Sequence, residues 1–259
     1  MLYFLSEIIF IRKEDVKMIR VLVWNEFMHE KDASCKASEI YPDGIHACIA
    51  EFLGREEDIE VTTATLEDEN CGITKERLQN TDVIIWWGHC HHDKVPDEVA
   101  DLVQEAVLDG MGAIFLHSAH KSKPFMRLMG TSCSLTWRES DDMERVWVAA
   151  PGHPIAQGLG RYFELPGEET YGEPFGVPAP DETVFIGWYD AGEVFRSGLT
   201  YVRERGKIFY FQPGHETYPT YKNPDIQKII TNAVRWAKPV CRIDNCMDCP
   251  WVPKIGEEE

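Results

Sequence analysis

The sequence predicts an α/β protein built as one domain on a mostly parallel sheet with helices on both faces. Two observations carry this. Apolar, β-branched runs recur at residues 19–24, 59–64, 83–87 and 113–116, and continuous runs of this kind suit strands buried on both faces. Helically spaced apolar residues lie between them, which gives β-α-β-α order and parallel neighbours joined by right-handed crossovers.

Taken in order, residues 43–53 put Ile45, Cys48, Ile49, Phe52 and Leu53 on one helical stripe. Pro96 opens the next helix, in which Val99, Leu102, Val103, Ala106, Val107 and Leu108 keep the same period, and Gly110 ends it. From about Trp137 the pattern changes to shorter runs at 146–149, 183–188, 194–200 and 208–211, which read as antiparallel additions or an extended sheet edge. Residues 166–180, rich in Gly, Pro and Glu, read as a long loop. A closing helix at 224–236 packs Ile226, Ile229, Ile230, Ala233, Val234 and Trp236.

The chain has 259 residues, 44% of them hydrophobic and 27% charged, enough apolar surface for a full core. A net charge of −18 repels a phosphate backbone and an anionic membrane face, which argues against nucleic-acid and membrane partners. Residues 1–17 hold a short apolar run broken by Ser6 and Glu7, without a basic start or a cleavage site. The run is no signal peptide and is shorter than the roughly 20 residues a span needs. It reads as an extension: Lys13, Glu14 and Asp15 can be encoded by a bacterial ribosome-binding sequence, so translation is expected to start at Met18. The domain then covers 18–238, with a tail at 239–259 and a cytoplasmic location. Eight scattered cysteines fit reduced thiols. Cys241, Cys246 and Cys249 in the tail form three-quarters of a zinc pattern with no nearby histidine, the other reading being an exposed tail.

Ligands of open α/β sheets bind outside the carboxyl ends of the strands. Seven of the nine histidines fall there, in four loops: His29; His89, His91 and His92; His117 and His120; and His215. Taken singly, each is more simply a surface or hydrogen-bonded core residue. Together they could converge on Zn2+ or a similar ion, which takes three or four N or O donors. If three histidines held the ion, affinity would fall below about pH 6 with up to three protons taken up. The turn 115–119 also has the setting of a nucleophile elbow, in which Ser118 could pair with His117 or His215, although the flanking glycines of that motif are absent. Glu168, Glu169, Tyr171 and Glu173 offer acid-base or metal-binding groups, or simply a solvated acidic loop.

With VLVWNEF, TDVIIWWGH, GAIFLHSAH, His153-Pro154, EETYGEP, GKIFYFQPGHETY and NAVRWA in this order, the chain resembles the trehalose-utilization (ThuA-like) family over residues 18–238. The resemblance implies a flavodoxin-like, class I glutamine amidotransferase-like three-layer sandwich and a role in sugar utilization. At the elbow, where amidotransferases carry cysteine, this chain has His117. His215 and Glu216 match the amidotransferase base and orienting acid, so a His-Glu pair without the thiol argues against glutamine hydrolysis.

The leading expectation is therefore a metal-dependent enzyme of small sugars or keto-sugars, with a divalent ion, zinc above others, on a subset of His29, His89, His92, His117 and His215. His117, His215, Glu216 and Glu169 would be catalytic. Glu26, Gly88, Ser118, Tyr171 and Tyr218 would contact the sugar, with Trp86, Trp87 and Tyr221 as further aromatics that either stack on it or pack the core. A homo-oligomer is expected. The alternatives are a non-catalytic sugar-binding or regulatory module and a serine-type hydrolase using Ser118.

Overall fold

The computed structural model describes residues 18–243, 248–249 and 251–256. The expected extension at 1–17 and Cys246 of the tail pattern lie outside the described residues. Cys241 and Cys249 are exposed free thiols.

The elements run β1 (Ile19–Asn25), α1 (Ala37–Ile40), α2 (Ile45–Leu53), β2 (Ile59–Thr65), α3 (Lys75–Gln79), β3 (Val83–Trp87), α4 (Asp97–Leu108), β4 (Gly112–Leu116) and α5 (Lys123–Met129). There follow β5 (Thr136–Val148), β6 (Tyr162–Gly172), β7 (Glu182–Tyr189), β8 (Val194–Arg203), β9 (Gly206–Phe211) and α6 (Pro224–Ala237). Nine strands form one sheet in the order β2-β1-β3-β4-β9-β8-β7-β5-β6. The first five in that order pair in parallel, which is the doubly wound 2-1-3-4-5 arrangement. The other four pairings are antiparallel.

The expectation of a mostly parallel sheet is corrected: the sheet is mixed. The parallel strands were identifiable because both their faces are buried, whereas the antiparallel half is long, bulged and partly exposed. In β3, Val83, Ile85 and Trp87 enter one core while Ile84 and Trp86 enter the other. Helices α2 and α6 cover the first core and α3, α4 and α5 the second. The loop expected at 166–180 is also corrected. Its first part is β6, paired with β5 across two register shifts, and these bulges accommodate the Pro166-Gly167 interruption that hides the strand in the sequence.

Helix α6 shows how local signals and packing agree. Asn223 caps it, its Oδ1 accepting from the Asp225 and Ile226 amides at 2.8 and 3.4 Å, a contribution of about 1 kcal/mol. Its buried Ile226, Ile229 and Ile230 each stabilise the fold by roughly 1.5–3 kcal/mol. Held by this packing, β1, β3, β4 and β9 deliver their carboxyl ends to one edge.

Candidate metal centre

Each loop at that edge is fixed by backbone hydrogen bonds. His117 follows β4 directly and sits at φ 52°, the left-handed region that costs a non-glycine residue about 1 kcal/mol or more. The turn throws its fully buried imidazole into the cleft. Its Nδ1 donates to the Gln212 carbonyl at 2.9 Å, which leaves Nε2 facing Glu169 Oε2 at 2.9 Å. Apart from this approach, Glu169 Oε2 is buried without a hydrogen-bond partner. Tyr171 stacks on the His117 ring, centroids 5.1 Å apart.

After β9, Glu168 organises the next loop. This fully buried carboxylate accepts from the Gly214 and His215 amides, both at 3.0 Å, and from the Thr220 hydroxyl at 2.7 Å. Gly214, at φ 137°, is required here because a Cβ would strike the Tyr221 hydroxyl. His215 Nδ1 bonds the Thr217 hydroxyl at 2.8 Å, and its Nε2 is buried without a partner.

Glu26 does the same for the histidine loop after β3. Its two oxygens accept from the amides of His89, Cys90 and His91 at 2.8, 3.1 and 2.9 Å. The sugar contact expected of Glu26 is thus replaced by a loop clamp.

These three loops and β6 bring His89, His117, Glu169 and His215 together, with one ligand atom from each lying within 4.8 Å of the others. A cleft of about 360 Å³ opens beside them, lined also by His92, His120, Trp137 and Glu139.

The profile of a family described as trehalose utilisation matches residues 20–237. The chain belongs to the trehalose-utilisation (ThuA) family. Membership supports a part in carbohydrate utilisation. Among solved structures, this family member is similar to a ThuA-like protein of Parabacteroides merdae, at 14% identity and TM-score 0.64, covering 88% of this chain and 94% of that one. A ThuA-like protein of Bacteroides uniformis has 16% identity and TM-score 0.60, with 86% and 92% covered. A glutamine amidotransferase of Thermotoga maritima, at 10% identity and TM-score 0.50 over 84% and 97% of the chains, shares the fold. No curated protein sequence matches. Among the described residues, no helix is long and apolar enough to cross a membrane.

The electrostatics of this ThuA-family site are governed by burial and by the His117–Glu169 approach. Burial, with neighbouring imidazoles adding to it, pushes His89 and His215 down to about 2, so both rings are neutral. Burial also works against a charged His117, yet the adjoining Glu169 outweighs it and the pKa is raised. Burial lifts Glu168 above the usual carboxylate range and Glu216 to about 7.

Not every expected residue joins the quartet. His29 stands outside it, its Nε2 3.9 Å from Glu216 Oε1. His92 lies on the cleft wall against Gly88, with its Nε2 buried and unpartnered. The Ser118 hydroxyl donates to the Gly88 carbonyl at 2.9 Å, not to a histidine. Tyr218 donates to Asp141 at 2.7 Å. Trp86, Trp87 and Tyr221 are fully buried core residues, whereas Trp137, 64% exposed on the cleft wall, is the aromatic open to a ligand. The organising role of Glu168 was likewise invisible in sequence, because a buried carboxylate carries no periodic signal. Trp137 had one clue, an aromatic opening an otherwise polar strand.

Proposed function

We propose that the protein is a metal-dependent enzyme of carbohydrate utilisation acting on a small sugar or keto-sugar. The observation that carries this is the 2.9 Å approach of His117 Nε2 to Glu169 Oε2, a buried carboxylate oxygen without a hydrogen-bond partner. With Nδ1 already donating to Gln212, these two atoms need either a proton or a cation between them. His89 and the unpartnered Nε2 of His215 complete an N3O donor set suited to Zn2+.

When bound, a divalent ion supplies Lewis acidity toward a carbonyl or hydroxyl oxygen of the sugar. The chain does the rest. Trp137 offers its open face to the sugar ring, and Glu216, titrating near 7, is poised to take or give a proton at physiological pH. Tyr171 and Tyr210 hold the elbow, the first by stacking on His117 and the second by donating to the His117 carbonyl at 3.1 Å. The elbow has no thiol, which supports a reaction other than glutamine hydrolysis. The reading includes a cytoplasmic location and a homo-oligomeric assembly.

Elemental analysis of protein purified from ordinary medium tests the proposal. Stoichiometric zinc or another divalent metal, lost in His117→Ala, is the expected result. A protein that carries no metal and binds none on addition overturns it.

A further inference from the structure

Beyond that single ion, we propose that the outer side of the histidine cluster holds a second divalent cation, ligated by His29, His89 Nδ1 and Cys90, with Glu216 adding its charge from beside them. His89 Nδ1 lies 3.4 Å from Cys90 Sγ and 3.4 Å from Glu216 Oε1. An ion bound tetrahedrally at about 2.05 Å to nitrogen or oxygen and about 2.3 Å to sulfur sets neighbouring donors roughly 3.4–3.6 Å apart. The His89–Cys90 separation already has that length. His29 Nε2 lies 3.9 Å from the same Glu216 oxygen, and one ligand atom each from His29, His89 and Cys90 falls within 4.8 Å of the others.

A second observation is independent of the cysteine. The Glu216 side chain is only 4% exposed, its Oε2 has no hydrogen-bond partner, and His29 Nδ1 is also buried and unpartnered. A buried carboxylate left this way beside His29 and His89 is costly unless a cation joins it. The Glu26 clamp fixes the backbone of both His89 and Cys90, so the donors are held before any ion arrives. The set of two imidazoles and one thiolate suits Zn2+, Co2+ or Cd2+ rather than Mg2+ or Ca2+. On binding, the Cys90 thiol and the remaining ring N–H of His89 would each lose a proton to solvent, the thiolate joining the coordination shell and the His89 ring being shared between the two ions.

The test is a cobalt titration of the full chain, stripped with chelator and kept reduced. Wild type should take up a second equivalent of Co2+, and with it a near-ultraviolet thiolate-to-cobalt charge-transfer band. Cys90→Ser, at an exposed position, should keep the melting temperature, bind one equivalent fewer and lose the band. His117→Ala should also lose an equivalent but retain the band. Saturation at one equivalent without the band, or a band that survives Cys90→Ser, overturns the second cation and leaves the single-ion reading standing. A protein that binds no cobalt overturns both.

Discussion

His117 Nε2 and Glu169 Oε2 stand 2.9 Å apart while Nδ1 of the same ring is committed to the Gln212 carbonyl, so the two atoms hold either a proton or a cation between them. Replacing His117 by Ala removes a ligand and leaves the carboxylate stranded. The expected result is a loss of metal affinity larger than the roughly 10- to 100-fold that removal of an outer-shell partner costs. The metal-free variant should also lose about 1–3 kcal/mol of stability from the orphaned buried group. Competition with a chromophoric chelator, together with urea unfolding, reads both.

Proton release on metal binding should be about one per ion at the quartet, not three. His89 and His215, held down to about 2, are already deprotonated, so only the proton shared by His117 and Glu169 competes with the ion. Below the raised pKa of His117, affinity should fall by about tenfold per pH unit. Calorimetry of zinc binding to Cys90→Ser in buffers of different ionisation enthalpy counts the proton. A slope of three would mean that the histidines are far more solvated than their burial allows.

Trp137 is the exposed aromatic of the cleft wall. Trp137→Ala should weaken sugar binding by about 1 kcal/mol, roughly fivefold, and change stability by less than about 0.5 kcal/mol, as expected of a surface position. Tryptophan fluorescence on titration with candidate sugars checks this. Unchanged affinity for every sugar that binds would remove Trp137 from the site.

Glu144, fully buried on β5 in the space that Gly187 leaves open, has its pKa raised well above the ordinary value by burial and by nearby Glu168. The sign follows from proton counts: above about pH 4.3 the unfolded chain releases this proton while the folded chain keeps it. Stability therefore falls by about 1.4 kcal/mol per pH unit from there up to the folded pKa. Glu144→Gln should remove this slope and gain most over wild type at the alkaline end of that window. Urea unfolding at a series of pH values from about 5 upward measures it.

The parallel half was legible because strands such as β3 are apolar on both faces, and the histidines were legible because they directly follow such strands. Glu168 and Glu169 were named in sequence but assigned to a loop, since Pro166 and Gly167 break the strand pattern that the β5–β6 bulges in fact absorb. Glu26 was assigned to the wrong partner: an acidic residue after a strand reads as a ligand contact, and only the path of the histidine loop shows that its oxygens are occupied. Glu144 gave no signal, because a carboxylate reads as solvent-facing by its charge even where it shares a strand face with buried Val146.

The sheet order has one further consequence. Three nitrogen donors of the quartet come from the doubly wound half, while its oxygen donor comes from β6, the last strand of the antiparallel half. The site is therefore a joint between two modules, pinned by Glu168 of β6 to the His215 loop. Exchanging the exposed positions of the β5–β6 hairpin, Trp137 and Glu139, while keeping Glu168 and Tyr171, which hold His215 and His117 in place, would alter ligand choice without moving the three imidazoles, so relatives could diversify, and engineers could graft, at those positions alone.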